Sequence, residues 1–146
     1  MKLINRETDY AVRALCCIAE KEGEGLVSAA KLVETLSIPR PFLRKILQTL
    51  NQKGILKSYK GVGGGFALER SPRDVHLTEL IEIFQGPVEF NDCLFKKKIC
   101  PNRSSCPLRA RIQKIEKGVI SKLKGVTIAS LKIQNKKRYK EPKNAK

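Results

Sequence analysis

From Ser28 to Leu68 the chain runs through two helix-period apolar stretches, a break at Ser37-Ile38-Pro39 and a glycine run set between two extended stretches. That order restricts the available folds more than any other feature. Ser28 can accept a hydrogen bond from a free amide of a first helical turn, and Ala29, Ala30, Leu32, Val33 and Leu36 follow as a buried stripe. Past the break, Phe42, Leu43, Ile46, Leu47 and Leu50 repeat the period, which leaves Arg40, Arg44, Lys45 and Gln48 on the opposite, solvent-facing side. Gly54 stops this helix. Ile55 to Lys60 reads as a strand, Gly61-Val62-Gly63-Gly64-Gly65 as a flexible turn and Phe66-Ala67-Leu68 as the returning strand. The prediction is a helix-turn-helix followed by a hairpin, a candidate wing.

The flanking segments fit a mainly α chain. Tyr10, Ala11, Ala14, Leu15 and Ile18 predict a first amphipathic helix from about Arg6 to Lys21, ended by Gly23 and Gly25. Thr78 is expected to cap a short helix carrying Leu80, Ile81 and Phe84, which Gly86-Pro87 terminates. Val88 to Pro107 keeps no period and reads as a loop of a length that usually carries function. Leu108, Ile112, Ile115, Val119 and Leu123 then make a narrow apolar seam on a helix rich in Lys and Arg, suited to a partner helix. From Lys132 onward seven of fifteen residues are Lys or Arg, which predicts a solvated, disordered basic tail over 132–146. The expected organisation is residues 1–87 as the winged unit, 88–107 as the loop and 108–131 as the long helix with a short terminal one.

Charge indicates the partner. Lys and Arg number 30 against 14 acids, a formal net charge of +16 in 146 residues, so a polyanion is expected. No acid lies between Glu34 and Glu69, whereas Arg40, Arg44, Lys45, Lys53, Lys57 and Lys60 all do. A helix-turn-helix can lay its second helix in the major groove of double-stranded DNA while a hairpin reaches the neighbouring backbone or minor groove. Arg40, Arg44 and Lys45 are then candidate base or phosphate contacts, Lys57 and Lys60 wing contacts, and backbone amides near Ser28 a phosphate grip. A merely solvated basic face is the plain alternative for any single lysine. An RNA reader of single strands should carry stacking aromatics, but these are 5% and Trp is absent. No long apolar span or signal-like start is evident, so a cytoplasmic chain that does not enter the membrane is expected.

Five cysteines, an odd number, are poorly explained by a disulfide framework in a reducing compartment. Cys16 and Cys17 fall in the first helical stripe and read as small core fillers. Cys93, Cys100 and Cys106 share the loop, separated by six and then five residues, too wide for a zinc ribbon or a thioredoxin-like pair. Three soft thiolates can converge on an iron–sulfur cluster, with Lys96 to Lys98, Arg103 and Arg109 offsetting its charge. A metal-free thiol switch remains open, as does zinc. A thiol oxidoreductase should instead show a close cysteine pair at a helix start. His76, the only histidine, reads as satisfying a local polar contact.

Ile38 to Leu68, reading IPRPFLRKILQTLNQKGILKSYKGVGGGFAL, together with the opening MKLINRETDYAVRAL and the three-cysteine loop, resembles the winged-helix iron–sulfur regulators that include IscR, NsrR and CymR. The resemblance spans about residues 1 to 130. It implies a homodimer joined through the helix after the loop, binding two promoter half-sites. It implies a non-enzymatic, cluster-sensing regulator, a repressor by preference, of iron–sulfur, redox or nitric-oxide response genes. The cluster, [4Fe-4S] or [2Fe-2S], would lie on Cys93, Cys100 and Cys106. The fourth ligand varies in the family; where IscR carries His this chain has Arg109, which offers no lone pair, whereas Asp9 aligns with the NsrR aspartate and would come from the other subunit. Pro41, Arg44 and Lys45 replace the residues IscR uses for base discrimination, so the target sequence should differ. The expected interface is Ser28, Arg40, Pro41, Arg44, Lys45, Gln48, Lys57, Lys60, Gly63 and Gly64.

Overall fold

A computed structural model describes residues 2–90 and 100–132. Cys93, Lys96 to Lys98 and the tail beyond Lys132 lie outside the described residues. The elements run α1 (Arg6–Glu20), α2 (Ala29–Leu36), α3 (Arg40–Gln52), β1 (Leu56–Tyr59), β2 (Gly65–Leu68), α4 (Leu77–Gln85) and α5 (Pro107–Lys124).

The centre is α1, whose small Ala11, Ala14 and Ala19 let α2, α3 and α4 approach while Leu15 and Ile18 fill the space between. Its first turn is closed from two directions. Asn5 caps it by accepting from the Thr8 amide at 2.8 Å, and the buried Thr8 hydroxyl donates to Gln85 Oε1 at 2.9 Å. Gln85 Nε2 donates to the Leu3 carbonyl, so the end of α4 holds the start of α1. Buried polar atoms are thereby paired rather than left to cost desolvation energy.

Leu32, Leu43, Ile46, Leu47 and Leu50 close against α1 as the apolar spacing requires. Ser37 turns the chain between α2 and α3 in the left-handed region, φ 53°, its amide bonded to Val33 O, and Pro39 then starts α3. One expected member of the α3 stripe is absent from the core: Phe42 is 52% exposed. In the first turn it extends past the packed surface instead of facing it.

β1 and β2 pair antiparallel, Leu56 opposite Leu68 and Tyr59 opposite Gly65. Val27 adds a short third rung, exchanging both backbone hydrogen bonds with Phe66 at 2.9 and 3.0 Å. Gly65 is required there by crowding: a Cβ would stand 2.6 Å from Val27 O. The hairpin is thus fastened to the entry of α2.

The short helix does not start at Thr78. His76 is its N-cap residue and offers no side-chain cap. Instead the Leu77 amide donates to Val126 O at 2.9 Å and the Ile128 amide to Val75 O at 3.0 Å, a pairing across fifty residues that local sequence does not signal. His76 Nδ1 lies 2.9 Å from the Lys124 carbonyl, which can only accept, so Nδ1 carries the proton. Beyond α5, Ile128 is buried in the core and residues 128–132 form a helical turn. α5 itself buries no residue among those described, and Leu108 and Ile115 are 67% and 56% exposed.

Candidate nucleic-acid interface and cysteine loop

α3 presents Arg40, Pro41, Arg44, Lys45 and Gln48 to solvent, the outward face its apolar spacing predicts. Pro41 sits in the first turn, where a missing amide costs no helical bond. Lys45 is not free in the isolated chain: its Nζ lies 3.0 Å from Glu7 Oε1 in the first turn of α1. A polyanion would compete with Glu7 for this cation. Removing the carboxylate by Glu7→Gln is expected to raise duplex affinity roughly twofold to fivefold at low salt, as such exposed pairs hold about 0.2–1 kcal/mol. Fluorescence anisotropy checks this, and the gain should shrink as salt screens the charges.

Ser28 Oγ accepts from the Lys31 amide at 3.1 Å, and the amides of Ala29 and Ala30 have no intrahelical acceptor. Across from this helix start is the hairpin tip. Lys60, Gly61, Val62 and Gly63 are exposed, and Gly61 and Gly63 have φ 98° and 74°. Gly64 donates to Gly61 O at 3.0 Å, and a Cβ on it would stand 2.2 Å from Tyr59 O. A cavity of about 660 Å³ lies between the two; its lining includes Ser28, Lys31, Gly63, Gly64 and the carboxylates Glu20 and Glu24. Lys57 is exposed on β1 with its ammonium 5.6 Å from the Tyr59 ring centre. The ten expected interface residues therefore fall on α2's start, α3 and the hairpin. Sequence reasoning missed Glu7, Lys31 and the exposure of Phe42; only the last had a signal, its place in the first turn.

The cysteines divide by environment. Cys16 is buried, and burial first, then Glu20, pushes its thiol up to about 12 from an ordinary 9.0. Cys17 is half-buried and is raised by the same causes. Since the unfolded chain loses the Cys16 proton near pH 9 and the folded chain holds it to about 12, stability is full below pH 9 and falls across that window. The expected slope from this group is about 1.4 kcal/mol per pH unit at most. Urea unfolding between pH 8 and 11 checks it, and Cys16→Ala should flatten the profile.

Cys100 and Cys106 are both free and half-buried. Turns over 101–105 join them, with the Arg103 amide on Cys100 O at 3.0 Å and the Arg109 guanidinium on Arg103 O at 2.9 Å. Cys106 is the N-cap residue of α5. At the other end of the loop the Phe90 amide donates to Glu116 Oε2 of α5 at 3.0 Å. Asp9 pairs with Arg13 at 3.0 Å on the exposed side of α1. Among the described residues no three His, Cys, Asp or Glu side chains are grouped to hold a metal ion. Cys93 is not among them.

A family model described as an iron-dependent transcriptional regulator, Rrf2, matches residues 4–133. The chain belongs to the Rrf2 family. Among Rrf2-type relatives, the HTH-type transcriptional regulator NsrR of Bacillus subtilis strain 168 is 30% identical over 110 residues, 75% of each chain. Two solved structures have the same fold. CymR, the global cysteine regulator of B. subtilis, superposes with TM-score 0.75 at 23% identity, covering 92% of this chain and 98% of that one. IscR of T. potens gives 0.73 at 23%, covering 99% and 94%. The winged-helix reading of α2, α3 and the hairpin, and the membership of this Rrf2 chain among DNA-binding transcription regulators, follow. No helix among the described residues is long and apolar enough to cross a membrane.

Proposed function

We propose that this Rrf2 chain is a cytoplasmic, homodimeric promoter-binding regulator whose DNA affinity is set at its cysteine loop by an iron–sulfur cluster. The reading of DNA rests on α3 and the wing. Arg40, Arg44, Lys45 and Gln48 meet base edges or phosphates in the major groove, Lys57 and Lys60 reach the backbone or minor groove, and the start of α2 at Ser28 faces a phosphate. Gly63 and Gly64 shape the hairpin that carries Lys60. The exposed α5 seam of Leu108 and Ile115 suits the same seam on a second copy.

The donor set fits a soft-metal centre. Cys100 and Cys106 are unbonded thiols partly shielded from water, in a loop bearing Arg103 and Arg109, whose charges suit an anionic cluster. Cys93 would supply the third thiolate and Asp9 of the partner subunit the fourth ligand. Bound there, a cluster supplies reactivity toward oxygen, nitric oxide or iron supply. The chain's own part is mechanical: Cys106 is the N-cap of α5 and Glu116 holds the Phe90 amide, so both ends of the loop are tied to one helix. That attachment carries the proposal, because moving α5 changes the spacing of two recognition helices that must match half-sites about one DNA turn apart.

Anaerobic purification followed by a visible spectrum and iron and sulfide analysis tests the centre. Colour with stoichiometric iron and sulfide, lost in Cys106→Ala, supports it; a colourless, iron-free product contradicts it. Asp9→Ala should shorten the cluster's lifetime, and an unaltered spectrum and lifetime would remove Asp9. The second reading is a metal-free thiol switch. It is favoured by the two free, half-buried thiols Cys100 and Cys106, and would give the colourless result with affinity that still follows oxidation.

A further inference from the structure

Phe42 lies in the first turn of α3 and, of the residues proposed to face DNA, shares its side of the helix with Lys45, yet its ring can neither donate nor accept a hydrogen bond. A single exposed apolar residue says little by itself. Its place says more. Phe42 is the third residue of α3, half exposed, on a helix whose other outward side chains, Pro41 apart, are cationic or polar. At 100° per residue it lies about 40° past the buried Ile46, toward the exposed Lys45. The first turn of a recognition helix is the part that reaches base edges. Pro41 beside it adds further apolar surface without an amide to satisfy.

In the major groove one base edge offers an apolar group: thymine, through its C5-methyl. Cytosine presents an amino donor there, and adenine and guanine present ring-nitrogen acceptors with a donor or a second acceptor. A phenyl ring would desolvate these without repaying the loss. We infer that Phe42 is a specificity-determining residue that reads a thymine methyl group in each half-site, with Arg40, Arg44 and Lys45 holding the helix against the anionic duplex. This inference rests on the promoter-binding reading and deepens it.

Selection by the full-length protein from a randomised duplex pool supplies a target. Each thymine in it is then replaced singly by deoxyuridine, which removes the methyl and leaves pairing and groove acceptors unchanged. Wild-type binding should weaken roughly fourfold at one symmetry-related thymine per half-site, the effect of one buried methyl. Phe42→Ala should bind the thymine and deoxyuridine duplexes equally while keeping the wild-type thermal midpoint. If no thymine is sensitive, or if Phe42→Ala keeps the wild-type sensitivity, the assignment is wrong and the DNA reading stands. A pool that yields no enriched sequence overturns both.

Discussion

Replacing Arg40 and Arg44 together by alanine is expected to weaken duplex binding at least a hundredfold at moderate salt. Both side chains are exposed on α3 and no acid among the described residues pairs with them, so their cost on removal falls on the complex rather than on the fold. Base-reading arginines are worth about 1–3 kcal/mol each, and the proposed homodimer would lose two of each. Salt separates the two roles. If one of the pair grips a phosphate, the slope of log affinity against log salt becomes shallower by about 0.9 for each phosphate that is no longer neutralised. A base-reading side chain instead relaxes sequence preference at one position. Thermal unfolding should change by no more than about 0.5 kcal/mol, as for other exposed substitutions. Titration of a labelled duplex at several salt concentrations checks both; undiminished affinity would move the interface off α3.

Gly65→Ala is expected to damage stability and DNA binding at once. The added Cβ would meet Val27 O at 2.6 Å and Val27 C at 2.8 Å, backbone atoms that cannot rotate away. Relief requires separating β2 from Val27 and straining the two hydrogen bonds of the Val27–Phe66 rung. Overpacking of this kind costs about 1–3 kcal/mol, roughly a 3–10 °C fall in thermal midpoint. Because Val27 immediately precedes Ser28, the same displacement moves the wing relative to the α2 start, and affinity should fall even at temperatures where the variant is folded. Calorimetry with anisotropy at 15 °C checks the pair of effects. Gly63→Ala makes a useful contrast, since nothing lies within 4 Å of its added Cβ and only its positive φ resists the change.

The helical plan was legible because burial imposes a period. Leu43, Ile46, Leu47 and Leu50 must share a face, so their spacing announces both the helix and the cationic surface opposite. Phe42 fits the same count and still escapes the core, because a first-turn residue can overhang the packed region. The hairpin glycines were visible as a turn, but the crowding that requires glycine at 64 and 65 depends on Tyr59 and Val27, which composition cannot reveal. Thr78 resembles a cap by residue type alone. The cap position falls two residues earlier, at His76, and the Leu77 amide is paired by Val126, brought back after the whole length of α5. The Lys45–Glu7 pair, joining residues 38 apart, was hidden for the same reason. For the proposed sensor, the thiols were evident, whereas the attachment of their loop to α5 depends on Cys106 standing at its start and on Glu116 reaching back to Phe90.

The most direct test compares one selected duplex titrated at constant ionic strength with cluster-loaded protein and with the same preparation after chelation under reducing conditions. The account predicts isotherms displaced by at least tenfold in dissociation constant, with both forms dimeric. Superimposable isotherms from protein of verified iron content would contradict control of DNA binding from the cysteine loop.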